Sequence, residues 1–421
     1  MSRTAMRVLG ALARPVQFAV YLLAGLVPRD PRRWAFGTWS GTRFADNAAA
    51  VFVHLHEHPE PGVRAVWITR RSEIRDRLRA RGMRCHLAWS PGGIWAGLRS
   101  GVYVYDSIPQ DLNFWLSRGA RLVLLRHGIG MKKIERAIDA PDHRLYKLFH
   151  GSLAQRALWR TALPWHVPVP HLVMACSPAH AAQAPAYFGV DLERVRITGF
   201  PRHDRLADPV ARAPERIPTV GAPIPSDRPA FLYLPTFREG FVRQRFPWAD
   251  LQRAAVAAGV TIAVKLHVVD AERGVQGTGE LERASHLRQV DPDVDPIEIY
   301  PHAAGLITDF SSVAYDLLLL ERPVVHFVPD LEAFQAQRPL TGSFDDMAVG
   351  PICRTGDELV EALRRVAHEG DAASDDRRLQ LRRRFYTHAP GGASERVVDA
   401  IRELVDGPPS PAPPAPGRPA S

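Results

Sequence analysis

Short apolar runs of three to five residues punctuate the chain, and helix-length segments separate them. The first series is Trp34-Ala35-Phe36, Ala65-Val66-Trp67-Ile68, Val102-Tyr103-Val104-Tyr105, Leu122-Val123-Leu124-Leu125 and Leu172-Val173-Met174-Ala175. Runs of this kind alternating with helices predict a parallel sheet, hence one Rossmann-like half over residues 31–205. A second series, Phe231-Leu232-Tyr233-Leu234, Ile262-Ala263-Val264, Gly305-Leu306-Ile307 and Val324-Val325-His326-Phe327-Val328, predicts another half over 206–405. Residues 208–229 between them, rich in Pro, Ala and Arg, read as a linker or hinge. The expected fold is α/β, two Rossmann-like halves facing a central cleft where a nucleotide donor can meet an acceptor.

Three segments break the rhythm. Residues 1–30 carry Arg3, Arg7 and Arg14, an apolar run Pro15 to Val27, and then Arg29. That run is shorter than the ~20 residues needed to span a bilayer. Basic residues on both sides, without a clear small-x-small cleavage site, predict an interfacial helix at a membrane surface; the alternative is a helix packed on the protein's own core. Residues 146–171 interleave Tyr146, Trp159 and Trp165 with Lys147, Arg156, Arg160 and several His, which suits either a membrane interface or a docked helical insertion. Residues 406–421, rich in Pro and Ala, read as a disordered tail.

The chain has 421 residues, too many for one ordinary core, so two domains are the default. Its formal charge is +9, which favours anionic partners, but charge alone does not separate phosphates, nucleic acid and acidic lipid. Nothing besides that charge points to nucleic acid. Four lysines stand against fifty arginines, so Lys132, Lys133, Lys147 and Lys265 are the more informative cations. Cys85, Cys176 and Cys353 are far apart and form no CxxC pair, which fits a reducing cytosol and supports neither a disulfide framework nor structural zinc.

Four segments could carry chemistry. In Leu306-Ile307-Thr308-Asp309-Phe310-Ser311-Ser312 an apolar strand enters a hydroxyl-rich turn, followed by an apolar helix that ends near Glu321-Arg322-Pro323. Unpaired amides at such a helix start, with Ser311 and Ser312 beside them, suit a phosphate. In Arg126-His127-Gly128-Ile129-Gly130-Met131-Lys132-Lys133, a histidine directly after a buried strand is placed for a general base or for a structural role. In Val264-Lys265-Leu266-His267, strand alternation sends Lys265 and His267 to one side. Tyr233-Leu234-Pro235-Thr236-Phe237-Arg238 ends another strand, with Arg238 able to clamp a phosphate. His54, His56 and His58 read as a solvated helix surface rather than a metal site, and no Asp-x-Asp cluster marks the cleft, so metal-independent chemistry without a cofactor is expected.

Taken in order, these pieces resemble the CDP-glycerol glycerophosphotransferase family, the polymerases and primases of teichoic acids and related capsules. The matching motifs are His127-Gly128-Ile129-Gly130-Met131-Lys132-Lys133, Gly199 to Asp204, Pro235-Thr236-Phe237-Arg238, Lys265-Leu266-His267 and Thr308-Asp309-Phe310-Ser311-Ser312. The resemblance runs from Phe36-Gly37-Thr38-Trp39 and Asp46-Asn47 to Gly392-Ala393-Ser394-Glu395-Arg396. Departures are Ile129 for Thr, Phe237 for Trp and Phe310 for Tyr. The resemblance implies the GT-B architecture and displacement at the β-phosphorus of CDP-glycerol by an acceptor hydroxyl, releasing CMP. It implies His127 as base, with Lys265 and His267 as further catalytic groups. Arg202, Arg238, Thr308, Asp309, Ser311 and Ser312 would then bind donor phosphates, with Asp309 orienting the turn or a donor hydroxyl. Asp46, Asn47, Gly128 and Lys132 would lie on the acceptor side. The implied setting is peripheral, at the cytoplasmic face of the membrane, with a lipid-linked polymer as acceptor and an anionic lipid surface as partner. Alternatives are a transferase of this fold using CDP-ribitol or a nucleotide sugar, and a non-catalytic membrane-associated relative.

Overall fold

The computed structural model describes residues 3–207, 216–236, 246–266, 281 and 283–407. The expected tail beyond 407 and much of the expected linker lie outside these residues. Two parallel sheets carry the fold. The first contains β1 (Asp30–Gly37), β2 (Arg64–Thr69), β3 (Cys85–Leu87), β4 (Ser100–Tyr105), β5 (Arg121–Leu124), β6 (Leu172–Ala175) and β7 (Val195–Ile197), in the order β3-β2-β1-β4-β5-β6-β7. The second contains β8 (Ala230–Leu234), β9 (Thr261–Val264), β10 (Leu287–Gln289), β11 (Gly305–Thr308), β12 (Val324–Phe327) and β13 (Ile352–Cys353), in the order β10-β9-β8-β11-β12-β13. Every residue of β4, β6, β8, β9, β11 and β12 is buried, because helices cover both faces of each sheet. This is the GT-B-like pair of Rossmann halves that the sequence predicts.

In each sheet the strand order reverses between two central strands, β1 and β4 in the first and β8 and β11 in the second. Ligands of open α/β sheets sit beyond the carboxyl ends of such strands. The loops at these two switch points face each other across the cleft, and this opposition is what positions the site.

Four features depart from the sequence reading. The chain does not divide at a single point: helix Ala393–Asp406 returns to the first sheet, burying Val397, Val398 and Ile401 with Trp34 and Phe36. Its first amides, Ala393 N and Ser394 N, both donate to the Asp204 carboxylate at 2.8 Å, so the last residue of the Gly-x-Pro-Arg-x-Asp motif is a helix cap. The described part of the linker is packed: Val220 N donates to Gln289 O at 2.9 Å and Ile217 is buried. The helix after the Ser311-Ser312 turn is short, an α-turn Val313–Asp316 tightening into a 3-10 turn Leu317–Leu320, and Glu321 in the left-handed region ends it. A full helix start is therefore not what the serines present.

The N-terminal segment forms α1 (Arg3–Ala24), which packs on its own half as the second reading expects. One face docks on its own half, with Tyr21 stacked on Phe114 at 4.7 Å and Phe18 edge-on to Trp115 at 5.5 Å, while Val16, Leu22, Leu23 and the following Leu26 are exposed. Segment 146–171 contributes to a small cluster of its own around Ile138, Leu145, Leu148 and Leu163. Among the described residues no helix is long and apolar enough to cross a membrane.

A buried ionic hub fixes the two halves against each other. Arg202, just after β7, donates through Nη2 to both Asp316 oxygens at 2.9 Å, and through Nη1 to Asp46 Oδ1 at 2.8 Å and His127 O at 2.6 Å. His203 Nε2 meets Asp316 Oδ1 at 2.8 Å. Asp46 and His127 belong to the first half and Asp316 to the second. Burial opposes the charge on Arg202, but Asp316 and Asp46 hold its pKa well above the ordinary value. Burial pushes the Asp316 carboxyl upward, yet Arg202 and His203 bring it below the usual range. Removing one partner of such a cluster leaves a buried charge uncompensated, so Asp316→Ala should cost ~3–5 kcal/mol. Equilibrium denaturation in urea measures this; a cost below ~1 kcal/mol would show that the hub does not hold the halves.

Candidate active site

The site is built from strand ends. β5 delivers Arg126 and His127, and Arg126 takes the left-handed conformation at φ 63°. That strained turn is held from three directions: its guanidinium donates to His180 O and Gln183 Oε1, each at 3.2 Å, and its carbonyl accepts Asn47 Nδ2 at 2.7 Å. Asp46, the first residue of α2 (Asp46–Glu57), is likewise left-handed at φ 65°. Asn47 is fully buried and its Oδ1 accepts Arg202 N at 3.0 Å. Asn47 is thus a brace beneath His127 rather than an acceptor contact.

From the second half, β11 delivers the serine turn. Thr308 is buried and donates its hydroxyl to Leu234 O at 2.6 Å. Asp309 is buried and accepts Thr236 N at 2.9 and 3.0 Å, tying the loop after β8 to the loop after β11. Neither residue lines the cleft, which corrects their assignment as phosphate ligands; Asp309 orients the turn. Arg202 does line the cavity, but its Nη1 and Nη2 groups are engaged by Asp46, His127 O and Asp316, so its main place is in the hub rather than on a donor phosphate. Phe310, stacked on Phe334 at 4.1 Å, and the buried Ile129 are core residues, so the departures there do not alter the cleft wall.

His127, Ser311, Ser312, Lys265, Lys132, Asp46 and Thr236 line one cavity of ≈ 1150 Å³ between the halves. The walls touch beside the histidine: a Cβ on Gly128 would fall 2.5 Å from Ser312 Oγ. A side chain here would have to displace the Ser312 hydroxyl, so Gly128 lets the loop carrying His127 lie close against the serine turn. Lys132 reaches the second half through a bridge to Leu340. The Ser312 side chain makes no capping hydrogen bond, and the Thr236 hydroxyl is buried without a partner among the described residues. A buried, unpartnered hydroxyl on a cleft wall is an unpaid desolvation that a ligand can relieve. His267, Phe237 and Arg238 lie outside the described residues. Among the described residues no three His, Cys, Asp or Glu side chains gather as a metal-binding group.

The electrostatics separate a neutral base from a cation. His127 is open to the cavity but enclosed by protein beyond it, and burial lowers its pKa below the ordinary value; Arg202, Lys132 and Arg126 push the same way, and only the Asp46 carboxylate opposes them. Its Nδ1 lies 3.1 Å from Ser107 Oγ, leaving Nε2 without a partner among the described residues. Ser107 sits in the loop after β4, at the first switch point, where its amide donates to Asp111 Oδ2 at 2.9 Å. Lys265, largely buried, donates to Asp291 O at 3.2 Å and Pro292 O at 2.9 Å, and burial lowers its pKa to about 8. The arrangement can take a proton at His127 and stabilise an anion with Lys265 and the serine hydroxyls.

Sequence reasoning missed Ser107, Asp316 and His203. Asp316 had a signal, a lone acid in the apolar run Val313 to Leu320, which demands a buried partner. Ser107 had none.

The comparisons with known proteins decide the family. A sequence model of CDP-glycerol:poly(glycerophosphate) glycerophosphotransferase matches residues 19–403. The chain belongs to this family. It is 22% identical over 407 residues to the teichoic acid poly(glycerol phosphate) polymerase of Bacillus subtilis (strain 168), covering 91% of this chain and 50% of that one. To the teichoic acid poly(ribitol-phosphate) polymerase of Bacillus spizizenii it is 28% identical over 224 residues, covering 51% of this chain and 34% of that one. The chain thus spans half or less of the length of these two relatives. The solved structure of the wall teichoic acid polymerase TagF superposes with a TM-score of 0.71 at 16% identity, covering 96% of this chain and 97% of that one, so the fold is shared. A histidine variant of TagF has been solved after a CDPG soak.

The two titrating groups set opposite limbs of a pH profile. A base with a lowered pKa stays neutral down to a pH below 6.5, and Lys265 loses its charge as pH rises through about 8. For this family member kcat/KM should therefore trace a bell, and Lys265→Met should lower the maximum and abolish the alkaline limb. A profile whose alkaline limb survives that substitution would remove Lys265 from the chemistry.

Proposed function

We propose that this family member transfers glycerol phosphate from CDP-glycerol to the terminal hydroxyl of a teichoic-acid-like polymer. One observation carries the reading: His127 and the Ser311-Ser312 turn, from opposite halves, line the same cavity and meet at Gly128. The CDP-glycerol pyrophosphate rests against Ser311, Ser312 and Thr236. The acceptor hydroxyl oxygen attacks the β-phosphorus and its proton passes to His127 Nε2. The bond from that phosphorus to the oxygen bridging the two phosphates breaks, and CMP leaves with the bonding pair. Lys265 offsets the charge gathering on the transferred group and on CMP, so positioning and fixed charge supply the catalysis without a metal ion.

The acceptor is lipid-linked and the protein works peripherally at the cytoplasmic membrane face. Support comes from the exposed Val16, Leu22, Leu23 and Leu26 of the α1 region and from Leu153 and Leu158 of helix Leu153–Ala162. These patches are tied together by Arg14, whose Nη2 donates to Ala162 O at 3.2 Å and whose guanidinium lies 5.2 Å from the Trp165 ring. Apolar side chains beside fixed cations are what an anionic bilayer surface binds.

The match to a ribitol-phosphate polymerase favours CDP-ribitol as a second reading of the donor. Incubating the protein with CDP-glycerol or CDP-ribitol and a glycerophosphate-primed lipid separates the two. CMP should appear with CDP-glycerol, persist in chelator, and fall by ~10² or more in kcat for His127→Ala. CMP from CDP-ribitol alone would move the assignment to the second reading, and undiminished turnover by His127→Ala would end the proposed role of this residue. Pelleting with vesicles rich in anionic lipid should weaken when Leu22, Leu23 and Leu26 are replaced by Ser; unchanged pelleting would rule out α1 as the anchor.

A further inference from the structure

Beyond the reacting groups the cleft continues along α3 (Ser72–Ala80). Ile74 and Leu78 of this helix are buried in the core of the first half, which fixes the helix in place. Arg71, Arg77 and Arg81 line the same cavity as His127. Arg71 Nε lies 3.4 Å from Glu73 Oε2, so these two charges largely offset each other. Arg77 and Arg81 are exposed to the cleft and have no hydrogen-bond or ion-pair partner for their side chains among the described residues. Arg144, exposed and unpartnered in the same sense, lines the cavity as well.

Unpaired guanidinium groups inside a cleft, on a helix anchored by its apolar face, form a fixed row of phosphate-binding forks. Arg77 is in α3 and Arg81 is the residue that ends it, four positions on, so the two are separated by ~6 Å along the helix axis. That step is close to the separation of successive phosphates along a chain of three-carbon diesters. In the transferase reading above the donor rests on the loops after β8 and β11, so it does not account for this row.

We propose that Arg77 and Arg81 form a subsite for the phosphodiester units of the acceptor polymer that precede its terminal hydroxyl. The inference rests on the transferase reading above and adds to it that acceptor length is read on α3. The first unit occupies the reaction centre and the units behind it lie on the arginine row. Binding is electrostatic, so it weakens with salt.

The test uses the full chain, CDP-glycerol, and two soluble primers on the same aglycone, carrying one or about eight glycerophosphate units. For the double variant Arg77→Gln/Arg81→Gln, KM for the long primer should rise about tenfold or more. KM for CDP-glycerol and turnover of the one-unit primer should change less than about twofold, and the long-primer difference should shrink in high salt. The charge-keeping variant Arg77→Lys/Arg81→Lys should recover most of the long-primer affinity, which a merely misfolded variant would not permit. Equal losses on both primers, or an unchanged KM for the long one, would overturn the subsite. Transfer to neither primer by the unaltered protein would overturn the transferase reading itself, and the subsite with it.

Discussion

The guanidinium of Arg202 is shared by three elements that the chain brings from far apart: the start of α2 at Asp46, the carbonyl of His127, and Asp316 behind the serine turn. Burying such a cluster costs desolvation of every member, and only close, multiple hydrogen bonds offset that cost. The return is geometric. His127 in the first half and Ser311-Ser312 in the second are placed relative to one another by a rigid ionic joint rather than by a flexible hinge. Asp204, two residues on, caps the helix that returns to the first sheet, so one short motif closes the domain crossing at both ends.

Around that joint the cleft divides its chemistry by environment. Burial among cations keeps His127 neutral and able to accept a proton, while Lys265, beside carbonyl oxygens and the acids that follow β10, keeps its charge up to about 8. Groups whose environments push their pKa values in useful directions on opposite sides of one cavity are the hallmark of acid–base assignment. The left-handed backbone at Asp46 and Arg126 sits immediately beside these groups, where surrounding hydrogen bonds can hold strain that a free loop would relax.

Much of the fold was legible because the central strands are apolar on both faces, as Val102 to Tyr105 and Phe231 to Leu234 show. The edges were not. β3, β7, β10 and β13 are only two or three residues long and carry His86, Arg196 and Arg288, so no apolar run marks them. The return of Ala393–Asp406 to the first core depends on tertiary packing that no local pattern encodes. In the site, His127, Ser311, Ser312, Lys265 and Lys132 were found by motif and strand position, and the structure brings them to one cavity. Thr308, Asp309, Asn47 and Arg202 were found by the same motifs but serve as braces, because a motif marks the neighbourhood of a ligand without saying which side chains face it. Ser107 carried no pattern; only the fold sets it against His127.

The account's central claim is that a cytidine pyrophosphate lies between the serine turn and His127. The most direct measurement is a crystal structure of the protein bound to CDP-glycerol. The account predicts the pyrophosphate within hydrogen-bond reach of Ser311, Ser312 and Thr236, with the β-phosphorus facing His127 Nε2 across space open to an acceptor hydroxyl. A nucleotide seated away from that turn, or a β-phosphorus turned from His127, would contradict it.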